Sequence, residues 1–479
     1  MMKFSTVKTI AKDEWLFMWR NKVALVSILM LIALLFISVL SANEYRKTVN
    51  DERFYYQNEA NHEFESQPDR HPHRVAHFGH FLFRPVEPLS TFDTGIDSYT
   101  GHTLFLEAHR QNTANFSDVR QSSLLIRFGQ LSPAFVLQIL APLLLIFIGY
   151  ATISRERQSG TLRLMLSQGV SGSSIFLGKF IALAGISILI ISPAVIALLW
   201  ISLTQSVSFS LTWLLITAYF IWLLIWALGI TLVSSFLSNN RDALLGLLAI
   251  WTLQVILLPR FIPDVVNSQI PLRSNLETQI AVEKDLAELG DSHDENDPYF
   301  TDFKNKVLKK YGVSRVEDLP VNYKGLLMEE GERMTTELFN KYRDELVQQQ
   351  NKQNHRIDLW SITTPVLALR RLSMAASASD LNNFNNFLAE GESYRSRLVQ
   401  GLNRLETELI TYADDSDESK ENRIDKSHWQ QFPEFNYLPS TASERIHHMG
   451  MPFLMLFLWF ILLLLLIKPA SNIIERKIK

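Results

Sequence analysis

The stretch VALVSILMLIALLFISVLSA, from Val23 to Ala42, runs for twenty residues without a charge. At about 1.5 Å of rise per residue, a helix of that length crosses the roughly 30 Å hydrocarbon core of a bilayer. Leu40-Ser41-Ala42 is a poor small-x-small cleavage site, so the segment reads as a retained span and not as a signal peptide. Five further apolar runs follow, near Phe135–Ile153, Ile181–Leu203, Leu211–Leu232, Ala243–Leu258 and Met449–Ile467. The 47% hydrophobic content is unremarkable for 479 residues, but its concentration in these runs is not. The chain reads as a mainly α, six-span helical membrane protein.

Basic residues set the orientation. Lys3, Lys8, Lys12, Arg20 and Lys22 precede the first span, and Arg155, Arg157, Arg163 and Lys179 follow the second. Arg241 lies between the fourth and fifth, and Lys468, Arg476, Lys477 and Lys479 follow the sixth. With alternating spans all of them fall on one side, which the positive-inside rule makes cytoplasmic. Both termini are then inside, and two periplasmic insertions are outside. The expected organisation is an amphipathic N-terminal elbow helix at 1–22, span 1 at 23–42 and a mixed, histidine-rich first periplasmic region at 43–133. Spans 2–5 occupy 134–258, a largely helical second periplasmic region 259–448, span 6 449–467 and a cytoplasmic tail 468–479. The localisation expected is a membrane, with both chain ends on its cytoplasmic side.

Alternation through VAHFGHFLF, Val75 to Phe83, suggests a strand or extended segment. Lys324–Asn354 places Leu327, Met334, Leu338, Tyr342 and Leu346 near one helical face. In the next helical stretch Leu398, Leu402, Leu405, Leu409 and Tyr412 are spaced four, three, four, three, a seam for another helix, favoured within the same domain. The acidic runs DSHDEND, 291–297, and DDSDESKEN, 414–422, lack the spacing and glycine of a calcium loop and read as solvated. There is no cysteine, hence no disulfide or thiolate ligand.

Enzyme chemistry finds little support. There is no nucleophile elbow and no His-Glu-x-x-His. Gly172 and Gly178-Lys179-Phe180 resemble a phosphate loop but are spaced one residue too far, and Phe180 stands where Ser or Thr must reach magnesium. Seven of the twelve histidines lie between His62 and His109. Of these His71, His73, His77 and His80 are the candidates for a metal site, with His71 and His73 paired at i and i+2 if the segment is extended. Their spacing matches no closed motif, and the favoured reading assigns no metal. Gln138 and Gln254 lie within spans and are candidates for lining a transport path, against a simpler role in hydrogen bonding between helices.

The segment SRERQSGTLRLMLSQGVSGSSIFLGKF, Ser154 to Phe180, sits on the side read as cytoplasmic. Gly160 breaks the preceding helix, Thr161 is placed to cap a short one, and Leu162, Leu164, Met165 and Leu166 give it an apolar surface. Such an element near 155–168 suits docking into a partner's groove. The segment resembles the signature of ABC-2 type transporter permeases through Arg155, Glu156, Gly160, Thr161, Leu162, Leu166, Gly178 and Lys179. KTIAKDEWLFMWRNK, from Lys8, resembles the family's elbow helix, and the six-span layout agrees. The large outer regions resemble a bacterial subgroup with an uncharacterised periplasmic portion. The resemblance implies a non-catalytic permease subunit, an exporter driven by a separate cytoplasmic ATPase that holds ATP and Mg. It also implies a second permease copy or homologue. Arg155, Glu156, Arg157, Gly160, Thr161, Leu162 and Leu166 would couple the two proteins. The chain itself binds no cofactor in this reading, and no nucleic acid. Two alternatives are an ATP-driven mechanotransmitter acting on a periplasmic partner, and a periplasmic metal-handling permease.

Overall fold

The structure, a computed structural model, describes residues 4–115, 117, 131–290, 292, 294, 297–417 and 419–476. It is mainly helical, and six of its helices are long and apolar enough to cross a membrane. Helix α1 (Phe4–Arg20) precedes them. The spans are carried by α2 (Lys22–Glu65), α4 (Pro133–Gln158), α6 (Gly172–Thr204), α7 (Phe209–Phe236), α8 (Asn240–Gln269) and α14 (Ala442–Leu465). Between α2 and α4 lie α3 (Pro72–Ala76), β1 (His80–Phe83) and β2 (Thr103–Leu106), and between α4 and α6 lies the short α5 (Thr161–Ser167). Between α8 and α14 come α9 (Asn275–Leu289), α10 (Pro298–Tyr311), α11 (Tyr323–Trp360), α12 (Pro365–Ser377) and α13 (Leu381–Leu409). Helix α15 (Ile467–Arg476) follows α14.

Helix α2 starts where Asn21 accepts from the amides of Val23 and Ala24. Its stripe Ala24, Ile28, Leu31, Leu35 and Ser38, alternating by four and three, is buried against the other spans. The helix does not stop at Ala42. It continues to Glu65, 44 residues in all, and at about 1.5 Å each it is twice as long as the bilayer core is thick. α8 likewise runs past Leu258 to Gln269. The spans therefore project out of the membrane as struts. α7 is the central one, with 67% of its apolar window buried, against 11% for α14 at the periphery.

The two regions that the sequence separates form one distal body. β1 and β2 pair antiparallel, His80 opposite Leu106 and Phe83 opposite Thr103. Leu82, Leu104 and Leu106 of this hairpin share a core with Phe387, Leu398, Val399 and Leu402 of α13. Leu398 and Leu402 of the predicted seam are thus packed within the domain, while Leu409 is exposed. α11 and α13 run antiparallel, since Gly325 lies against Thr407 and Asn385 bonds to Gln350 at the other end.

α12 departs from a simple outer region. Its Val366, Ala368, Leu369, Leu372, Ala375 and Ala376 belong to the core formed by the spans. At thirteen residues it is too short to cross, yet it packs along α14 and α7 and brings the distal body into the membrane core.

The strand expected through Val75–Phe83 occupies only its second half. Pro72 opens α3 at a position where a missing N–H costs nothing, and His71 caps it by accepting from the His73 amide at 3.2 Å. In helical geometry residues 71 and 73 face different ways, so the expected His71–His73 pair does not form.

Candidate functional site

At the end of the spans where α1, α5 and α15 gather, four charged side chains meet. Glu14 of α1 and Lys179 of α6 are both about 2% exposed and lie 2.6 Å apart. Lys179 also holds Glu156 at 2.7 Å, and Arg155 reaches Glu14 at 2.8 Å. Thr152 donates to Glu14 at 2.8 Å. Two carboxylates and two cations balance, and each is bonded, which is the condition for keeping ions out of water. The Arg155 guanidinium lies 3.6 Å over the Phe17 ring, a second tie to α1.

α1 can approach α6 because α6 is notched. A methyl at Gly178 would stand 2.7 Å from Ile10, and one at Gly185 would stand 2.5 Å from Trp15. Small residues at such spacing let two helix backbones come close. Glu14 was not singled out from the sequence. Its signal is the buried stripe Val7, Glu14 and Met18, in which one member of an otherwise apolar face is charged.

The candidate coupling residues divide into anchors and an exposed edge. Arg157 donates to the carbonyls of Leu237 and Ser235 at the C-terminal end of α7, where the helix leaves acceptors unsatisfied. Leu162 is fully buried with Ile153, Ile175 and Phe176, and Leu166 packs against the same cluster. The apolar surface expected from Leu162, Leu164, Met165 and Leu166 therefore turns mostly inward, and Leu164 alone is well exposed, at 58%. Gly160 takes φ +81°, a left-handed conformation that admits glycine freely. It is Gly160, and not Thr161, that occupies the cap position of α5. Thr161 instead bonds back to the Glu156 carbonyl at 3.2 Å and to its carboxylate. α6 then starts at a Ser171 cap, and Glu475 of α15 accepts from the Gly172 amide at 2.8 Å.

Gln138 and Gln254 each sit in a widened π turn, Val136–Leu140 and Thr252–Leu257. Pro142 and Pro259 follow closely and lack the N–H that would close a regular turn there. Gln138 is buried and donates to the Tyr219 hydroxyl at 2.7 Å, which meets Ser373 of α12 at 2.9 Å. Gln254 donates to the Thr363 carbonyl at 3.1 Å, while Thr364 donates to the Gln254 carbonyl at 2.9 Å. Both glutamines tie spans to the segment that carries α12.

The four candidate histidines separate into three settings. His71 meets Asp415 at 3.0 Å, and Glu406 lies close by. Asn322 donates to the other oxygen of Asp415 at 2.7 Å, so this member of the acidic run is a partly buried clasp and not a solvated charge. Burial lifts the Glu406 carboxyl to about 7. His80 is a core residue beside Phe64 and Tyr394, and burial lowers its pKa to about 4. His73 and His77 converge with His109, which was not among the candidates. Asp291, His293, Glu295, Asn296 and Glu418 of the two acidic runs lie outside the described residues.

Comparison with known families finds two matches. Residues 105–274 match the family described as ABC-2 family transporter protein, which takes in α4 to α8 and the charged cluster's Arg155, Glu156 and Lys179. Residues 275–438 match a domain of unknown function (DUF3526), which begins at the first residue of α9 and ends shortly before α14. No curated protein matches the chain. The chain carries an ABC-2 transporter membrane domain with an extra region, and that membrane domain implies an ATPase partner in general terms.

Proposed function

We propose that this chain is the permease subunit of a bacterial inner-membrane exporter. A separate cytoplasmic ATPase holds ATP and Mg and drives it, and a second permease copy or homologue completes the complex. Both chain ends and α5 face the cytoplasm in this reading, and the distal body is periplasmic. The observation that carries it is the mounting of α5. Arg157 fixes its base to the end of α7, Leu162 fixes its underside to the span core, and Glu156 ties it through Lys179 to α1. A push on the exposed edge, Leu164 with Arg163 and Gly160, is then transmitted to three spans and not absorbed by a slack loop.

The test is Leu164→Asp in the full complex purified through this chain. Insertion and melting should be unchanged, and ATPase association should fall at least tenfold. Wild-type association would refute the docking assignment.

A second reading, mechanotransmission, is favoured by the hydrogen bonds from Gln138 and Gln254 through Tyr219 and Thr363 toward α12. These join membrane and distal body without a slack connection. Spin labels at Leu203→Cys and Leu346→Cys, in a chain with no native cysteine, would report the distance between spans and body. A distance that changes with ATP turnover while no solute crosses supports this reading over export.

A further inference from the structure

We propose that His73, His77 and His109 form a binding site for one divalent transition-metal ion of the zinc class. The site would staple α3 to the turn that follows β2, with Glu332 of α11 behind it. This proposal does not depend on the direction of transport.

The ligand type is right, since neutral imidazole is a common ligand for zinc, copper and nickel. The geometry is assembled by three local structures. His73 lies in α3 and His77 is its C-cap residue, so the two are one helical turn apart and share a face. Their Nε2 atoms lie 3.1 Å apart. Two nitrogens on a tetrahedral zinc, each bonded at about 2.0–2.1 Å, are separated by roughly 3.3 Å. The pair is thus spaced almost as a metal would space it. His109 arrives from the tight turn closed by the Glu107–Arg110 bridge. Its ring centroid is 5.8 Å from that of His73 and 5.3 Å from that of His77. One nitrogen from each of the three rings falls within 4.8 Å of the others.

Two further features point to a built site. His109 has φ +62°, a left-handed backbone that a non-glycine residue holds only when its surroundings impose it. Here the backbone is held by Glu332, which accepts from the His109 amide at 3.1 Å and lies 3.2 Å from its Nδ1. A carboxylate on Nδ1 fixes the ring and directs Nε2 to the metal, the arrangement that recurs behind metal-bound histidines. Glu332 is itself fixed, fully buried, with Arg395 at 2.6 Å, and Arg395 is held by Glu392 at 2.7 Å. The orienting chain therefore runs from α13 through α11 to the ring. The three protein ligands leave a fourth position for solvent or for a group on a partner.

The neighbouring cluster of His71, Glu406 and Asp415 differs. His71 and Asp415 already hydrogen-bond at 3.0 Å and Asn322 donates to the other carboxylate oxygen, so donors and acceptors satisfy one another there. In the cluster of His73, His77 and His109 the carboxylate, Glu332, stands behind the His109 ring and is not one of the three converging ligands.

The experiment uses the full chain in detergent, stripped with chelator and then reloaded with zinc or cobalt(II). We expect one zinc per chain by elemental analysis. Cobalt should give the visible absorption of a four-coordinate nitrogen-rich site. His77 is exposed, so His77→Ala should fold normally, lose the cobalt band and bind zinc at least 100-fold more weakly. His109→Asn, a residue type that tolerates the left-handed backbone, should do the same. His355→Ala, on an exposed part of α11, should bind as the wild type does. Absence of stoichiometric zinc in the wild type overturns the proposal. So does a cobalt band that survives in His77→Ala.

Discussion

The charged cluster beneath α5 and the histidine cluster of the distal body are built by the same device and for opposite ends. Each gathers residues far apart in the chain. Glu14, Glu156 and Lys179 come from three helices, and His73, His109 and Glu332 from three segments of the distal body. At the membrane end the charges alternate in sign and complete one another. At the distal end three imidazoles converge, with the Glu332 carboxylate behind one of them. A cluster that is balanced locks elements together, whereas converging imidazole nitrogens are ligands that a divalent cation can take. In the proposed reading the difference separates a structural joint from a binding site without reference to family.

The sharpest way to break the comparison is to unbalance the joint. Lys179→Met leaves Glu14 and Glu156 facing each other in a buried setting. Removing one partner of a buried ion pair costs about 3–5 kcal/mol. We expect a loss of that size in reversible unfolding by denaturing detergent. Adding Glu156→Gln, which leaves the Glu14–Arg155 pair balanced, should restore most of it. A single variant as stable as the wild type would show that the cluster is not a joint.

The next effect concerns the clasp at Glu406. Burial raises its carboxyl from 4.5 to about 7 in the folded chain, against the attraction of His71 and Lys324. Between those values the folded state holds a proton that the unfolded state has released, so stability falls as pH rises. The contribution is complete below about pH 4.5 and gone above about pH 7, and it amounts to about 3 kcal/mol at most. Glu406→Gln should therefore slow hydrogen exchange along α13 at pH 8 and leave it unchanged at pH 4.5. His80 works in the opposite sense. Its lowered pKa favours folding above about 6.5 and is lost as pH falls toward 4. Measuring Glu406→Gln against the wild type at each pH separates the two. Equal gains at both pH values would remove Glu406 as the titrating group.

The spans were legible because twenty uncharged residues have few other fates in water or lipid. The seam at Leu398 and Leu402 was legible as periodicity, although its partner, a hairpin some three hundred residues earlier, was not. α12 was hidden because a thirteen-residue helix bearing Arg370 and Arg371 resembles neither a span nor a surface helix. Within residues 154–167 the apolar and charged positions were legible but the directions of their side chains were not. Leu162 and Arg157 belong to the mounting, and sequence spacing does not say which face of a seven-residue helix is covered. His109 was out of reach for a different reason. Its place depends on a left-handed turn and on Glu332, 223 residues away.

The smallest expected effect tests whether α5 moves as a mounted unit. Gly160 and Gly178 look alike in sequence and differ in kind. At Gly160 an added methyl meets nothing within 4 Å, so the only penalty is the left-handed backbone at φ +81°. That penalty is about 1–2 kcal/mol for an L residue and less for Asn. Gly160→Ala should therefore disturb only the α4–α5 junction. Hydrogen exchange should rise over 154–167 and stay unchanged at Glu14 and along α6. ATP turnover by the complex should lose its dependence on the permease in Gly160→Ala and keep most of it in Gly160→Asn. At Gly178 the backbone is ordinary helix, but a methyl would stand 2.7 Å from Ile10. Gly178→Ala should loosen α1 and expose Glu14, with exchange rising along α1. If Gly160→Ala also loosened α1, the junction and the charged cluster would be one cooperative unit, and the mounting would have no hinge.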